Sequence, residues 1–135
     1  MKTKFGHIQF NSKPENQNFY LNLFLTLGWE KIHQDENMLG VAEEDGGSFW
    51  FTTPIKDMNN DYDGLGINHV GIHTSKQVDV DEVVRFLNEN DIDVLFETPR
   101  HRPEFSAGDE NTYYQVMFES PDKLLFEIVY IGKKD

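Results

Sequence analysis

The sequence predicts an α+β fold in which two tandem βαβββ modules form a cupped mixed β-sheet with the helices on the outside. Three observations predict it. "FGHIQFNSKP" (5–14) and "INHVGIHTSK" (67–76) echo each other: each places a His before an alternating apolar stretch, then Ser or Thr, then Lys. Setting His7 on His69 aligns Ile8 with Val70 and Phe10 with Ile72. Each echo is followed by an apolar stripe at helical spacing, and each helix by three short strand-like runs.

The elements follow in order. In "HIQF" alternation puts His7, Gln9 and Asn11 on one face of a strand and Ile8 and Phe10 on the other. Tyr20, Leu23, Phe24 and Leu27 then recur on one side of a helix over about residues 14–27, with Gly28 where a C-terminal cap belongs. "WEKIHQ", "MLGVAE" and "SFWFTT" read as strands separated by the turn residues "DEN" and "EDGG". In the second half "NHVGIHTS" alternates as a strand. Asp79 with Glu82 is expected to form a capping box, and Val80, Val83, Val84 and Leu87 give the helical stripe, ending near "NEND". "IDVLFET", "TYYQVMFES" and "KLLFEIVYI" supply three strands, the last two joined by the turn "SPDK". The modules span about 4–54 and 66–132 of a single domain, with the turn-rich linker "PIKDMNNDYDGLG" over about 55–65. "PRHRPEFSAGDEN" is expected to be a polar loop without counterpart in the first module.

A chain of 135 residues is long enough to build a core without staples. It contains no cysteine, so disulfides and thiolate metal sites are excluded. With 24 acids against 12 Lys and Arg, the net charge of −12 disfavours nucleic acid and anionic lipid, whose phosphates need clustered cations. No stretch has the length of a membrane span and the N-terminus lacks the apolar run of a signal peptide, so a soluble cytoplasmic protein is expected. "DMNNDYDGLG" alternates Asp and Asn before Gly but lacks the closing Glu of a calcium loop.

The chemistry centres on three residues. On the last strand, alternation groups Leu125, Glu127 and Val129 on one face. Glu127 is an acid within "LLFEIVYI", where an unpaired carboxylate is costly to bury. It needs a partner, and a cation between His7, His69 and Glu127 would provide one. His73 shares a face with His69 and is either a base near the site or an exposed strand end. Trp50, Tyr113 and Tyr114 are candidates to line a cavity. Arg100 and Arg102 could clamp a substrate anion, although solvated loop charge is the plainer reading. His33 and His101 read as surface residues.

On "GHIQF", "NHVGIHTS" and "YYQVMFESPDKLLFEIVY" the chain resembles, over nearly its whole length, the vicinal oxygen chelate superfamily of glyoxalases, fosfomycin-resistance enzymes, bleomycin-binding proteins and extradiol dioxygenases. The resemblance implies a small-molecule metalloenzyme with lyase, isomerase or dioxygenase-type chemistry. His7, His69 and Glu127 would hold a divalent Fe, Mn, Ni or Zn that chelates substrate oxygens. The alternative is a metal-free small-molecule or antibiotic-binding protein of the bleomycin-resistance type. Small two-module members commonly pair, so a homodimer is expected. The sequence also departs from the family pattern. The turn reads Ser120-Pro121-Asp122-Lys123 where the family often has Asp-Pro-Asp-Gly, and Trp50 falls where metal-dependent glyoxalases place a fourth ligand. "RHRPEFSAGDENTYY" has the length and aromatic ending of family loops that close over a substrate.

Overall fold

A computed structural model describes residues 1–135 and divides the chain into two compact units, Met1–Met58 and Asn59–Asp135. Each unit has the predicted βαβββ order. Unit one contains β1 (His7–Asn11), α1 (Gln17–Thr26), β2 (Glu30–Gln34), β3 (Met38–Ala42) and β4 (Ser48–Thr52). Its four-stranded sheet runs β1-β4-β3-β2, with β1 parallel to β4 and the other pairs antiparallel. Unit two contains β5 (Val70–Thr74), α2 (Gln77–Glu89), β6 (Val94–His101), β7 (Asn111–Glu119) and β8 (Leu125–Lys133). Its sheet runs β5-β8-β7-β6, again with one parallel pair, β5 with β8.

In unit one the helical stripe closes an aromatic core. Tyr20, Leu23 and Phe24 of α1 are fully buried against the sheet face formed by Phe10, Leu39, Val41, Phe49 and Phe51. Tyr20 stacks on Phe51 at 4.1 Å between ring centroids, and Phe24 meets Phe49 edge-on at 5.4 Å, the two arrangements that ring quadrupoles favour. The helix stops as expected: Gly28 has φ +80° and the Trp29 N–H returns to the Phe24 carbonyl. The first turn, Pro14–Asn16, is a 3₁₀ turn ahead of α1, because Pro14 brings no N–H and fixes the entry angle.

In unit two Val80, Val83 and Leu87 of α2 are buried, as are Ile72, Val116, Phe118, Phe126 and Ile128 on the sheet face beneath them. The expected capping box is corrected. The helix begins three residues earlier, at Gln77, and Asp79 rather than Glu82 reaches back, its Oδ2 accepting the Lys76 N–H at 3.1 Å. The expected break between "IDVLFET" and a polar loop is corrected too. β6 runs on through Pro99 to His101, with a register shift between Leu95 and Arg100. Phe96 and Glu97 both have positive φ, and Thr98 Oγ1 accepts the Met117 N–H at 3.0 Å, bridging the gap in the ladder. Only the stretch after His101 is loop, opened by a 3₁₀ turn at Pro103–Phe105.

The turn "SPDK" closes as predicted, the Lys123 N–H donating to the Ser120 carbonyl at 2.9 Å. Lys123 holds φ +60°, a conformation that crowds its Cβ. Lys123→Gly should therefore raise unfolding stability by about 0.5–1 kcal/mol, the relief of that crowding less the extra entropy glycine loses on folding. Chemical denaturation would measure it; a loss of stability would mean that the lysine stem contributes more than the strain costs. No helix is long and apolar enough to cross a membrane.

Candidate functional site

The face of the unit-two sheet that α2 leaves free carries the polar residues. Residues opposite each other in a ladder share a face, so the register sets their neighbours. Gly71 and Met117 flank Glu127, while His73, Gln115 and Arg100 lie along the next row with Val129. Glu127 is 5% exposed, and its two oxygens have different surroundings. Oε1 accepts the Tyr113 hydroxyl at 2.6 Å and the Gln115 amide. Oε2 stands 3.3 Å from His69 Nε2, and Gly71 lies beside it, where a Cβ would be in ordinary contact with it at 3.6 Å.

Hydrogen bonds fix the tautomer of His69. Asn68 donates from Nδ2 to the Tyr62 carbonyl at 2.9 Å, which orients the amide, and its Oδ1 lies 2.8 Å from His69 Nδ1. The imidazole proton therefore sits on Nδ1, which leaves Nε2 of neutral His69 as an acceptor 3.3 Å from Glu127 Oε2. Two acceptors this close favour a cation near them, either a proton or a metal. Imidazole nitrogen with carboxylate oxygen is a donor set for Mn, Fe, Ni or Zn. Their spacing also fits, since ligands about 2.0–2.2 Å from one ion stand about 3.0–3.5 Å apart. The donor types of this pair thus suit a transition metal, with the remaining ligands to come from outside the pair.

Tyr113 is held as a donor. Burial, then its hydrogen bond to Glu127, pushes the phenol up to about 12, so it keeps its proton. Arg102 is not the solvated loop charge that was the plainer expectation. It is half-buried, with Nη1 donating to Gln115 Oε1 at 3.0 Å, Nε to Glu104 at 2.6 Å, and its guanidinium 5.0 Å from the Phe105 ring centre. Arg100 lies in β6 rather than a loop, paired with Glu97 at 3.3 Å, and its Nε is buried without a partner. His73 is exposed on the same face. Tyr114 is not brought to that face: its hydroxyl meets Asp81 of α2 at 2.7 Å, and burial with that bond raises it to about 12. His33 and His101 are exposed, as expected, on Asp35 and Thr112.

In unit one, His7 is exposed at the start of β1 and registered with Ser48, two positions from the Gln9–Trp50 pair. His69 stands two positions before the Gly71–Glu127 pair, so Trp50 occupies the place in its unit that Glu127 holds in the other. The Trp50 ring lies over Gly40, where a Cβ would come within 2.7 Å of it, and its Nε1 donates to Ser48 Oγ at 3.1 Å. Nowhere in the chain do three or more His, Cys, Asp or Glu side chains gather as a metal cluster; His69 and Glu127 are together in unit two, and His7 belongs to unit one.

Three contributors escaped the sequence reading. Gln115 carried a usable signal, an amide inside "TYYQVMF" on the same alternation as Tyr113. Asn68 and Gly71 act through an amide orientation and through missing bulk, which no pattern in a single sequence displays.

No family model matches the sequence, and no curated protein matches it. Solved structures do match the fold. A proposed glyoxalase from Bacillus halodurans superposes with a TM-score of 0.76 at 22% identity, covering 93% of this chain and 94% of the other. A glyoxalase/bleomycin resistance protein from Albidiferax ferrireducens gives 0.72 at 19% identity, covering 93% and 98%. The fosfomycin resistance protein FosX from Listeria monocytogenes, in a structure with Mn(II) and sulfate, gives 0.66 at 18%, covering 96% and 91%. At these identities the likeness speaks for architecture alone: two tandem βαβββ modules in a small α+β fold.

Proposed function

We propose that the protein is a metal-dependent enzyme acting on a small molecule through two of its oxygens, with His69, Glu127 and His7 as ligands of a divalent transition metal. The observation that carries this reading is His69 Nε2 standing 3.3 Å from Oε2 of the buried Glu127. When bound, such an ion supplies Lewis acidity to oxygens on which charge develops. The chain's own residues prepare the place. Asn68 keeps the proton of His69 on the nitrogen away from Glu127. Gln115 and Tyr113 hold the carboxylate in one orientation, and Gly71 places no side chain against it. His73, Arg100 and Arg102, with Tyr113, are the polar side chains on the same face from which substrate contacts would be drawn. FosX, with its Mn(II), is a structural neighbour compatible with this chemistry. Metal content after purification without added metal is the direct test.

A second reading is a metal-free protein that binds a planar or drug-like ligand, with protonated His69 as the partner of Glu127. Trp50 favours it, since a half-exposed indole laid over Gly40 is a stacking platform where a carboxylate ligand would otherwise stand. Trp50 also bears on the reaction. Lactoylglutathione lyase activity is expected to be absent or very weak, because the missing carboxylate changes both charge and coordination number. Assay of the methylglyoxal–glutathione adduct with Ni(II) or Zn(II) checks this; robust turnover would show that no fourth ligand is needed at Trp50.

A further inference from the structure

Glu127 offers its two oxygens unequally, and the cause lies outside the pair it forms with His69. Gln115 is 3% exposed and has no freedom to turn: Arg102 Nη1 donates to its Oε1, which leaves the Nε2 hydrogens for Glu127 Oε1. The Tyr113 hydroxyl donates to the same oxygen. Arg102 is itself fixed by Glu104, by the Phe105 ring, and by its own N–H on the Tyr113 carbonyl at 2.7 Å. Two donors saturate Oε1, and only Oε2 faces His69.

We propose that Gln115, clamped by Arg102, is a positioning residue that leaves Glu127 one working oxygen and thereby sets the site's preference for transition ions over calcium. The proposal rests on the metal reading above. Its chemistry is that Ca²⁺ takes six to eight oxygens and is favoured by carboxylates that give both, whereas a single carboxylate oxygen beside an imidazole nitrogen suits a smaller transition ion. Freeing Oε1 would restore the two-oxygen grip and loosen the aim of Oε2.

The test uses Mn(II) and Ca²⁺ as probes, with bound and free Mn(II) separated by electron paramagnetic resonance and Ca²⁺ added as competitor. Gln115→Leu should weaken Mn(II) binding about 10–100-fold, the usual worth of a group that orients a ligand. Ca²⁺ binding should hold or improve, so that the Mn(II)-to-Ca²⁺ ratio falls by at least about 10-fold. Arg102→Met should move the ratio in the same direction. Should Gln115→Leu not fold, the near-isosteric Tyr113→Phe removes the other donor on Oε1 and should lower the ratio by a smaller factor. A role in stability alone would weaken both ions equally, and an unchanged ratio in the variant that folds overturns the proposal while leaving the metal site intact. Wild-type protein that takes up no Mn(II) overturns the metal reading itself, and this inference with it.

Discussion

Protein carrying His69→Ala or Glu127→Gln is expected to lose nearly all of the metal that the wild type retains at about one ion per chain, a count set by one such donor set. Groups that merely orient a ligand are worth about 10–100-fold in metal affinity, and a ligand itself is worth more. The two substitutions separate ligation from folding. The His69 side chain is 39% exposed, so its removal opens no core cavity. Glu127→Gln keeps the volume of a residue that is 5% exposed and removes its charge, whereas Glu127→Ala would leave the Tyr113 and Gln115 donors unpaired in a buried place. Elemental analysis reads the metal and thermal unfolding reads the fold. Equal metal in wild type and both variants would sink the ligand assignment. Folded wild-type protein without metal would favour the binding-protein reading, in which Trp50 stacks a ligand.

The sequence displayed some of this and hid the rest for physical reasons. Helix and strand periods were legible because the buried stripes of α1 and α2, Tyr20–Leu23–Phe24 and Val80–Val83–Leu87, are nearly pure. β6 was misjudged because two consecutive non-glycine residues, Phe96 and Glu97, adopt left-handed backbone, which no residue type there announces. Glu127 was legible as an acid in an apolar strand. Its choice of partner oxygen was not, because that depends on Gln115 across the β7–β8 ladder and on Arg102 turning inward from beyond β6. Tyr113 and Tyr114 were both candidates to line a cavity, but adjacent strand residues point to opposite faces, and the register brings Tyr113 to Glu127 and sends Tyr114 to Asp81. For Asp79, the sequence pointed to a capping box with Glu82, but the helix starts at Gln77, so Asp79 instead closes the first turn on the Lys76 N–H.

Mixing His7→Ala chains with His69→Ala chains is expected to rebuild one complete metal site per heterodimer from two chains that are each defective alone. Unit two supplies two of the three proposed ligands, His69 and Glu127, and the third must come from a first unit. The proposed homodimer allows that unit to belong to the partner chain. Each sheet has unpaired edges, at β1 and β2 in one unit and β5 and β6 in the other, and pairing of chains can cover such edges. If ligands are shared across chains, one site of the heterodimer combines both mutated residues and is lost. The other joins the intact His7 of one chain to the intact His69 and Glu127 of its partner. Metal per dimer should then recover to about half that of the wild type, against near zero in either parent homodimer. If each chain completes its own site, both sites of the heterodimer lack a ligand and mixing recovers nothing. Light scattering comes first: a monomer at micromolar concentration would end the shared-site proposal, and the metal ligands would then have to be sought within one chain.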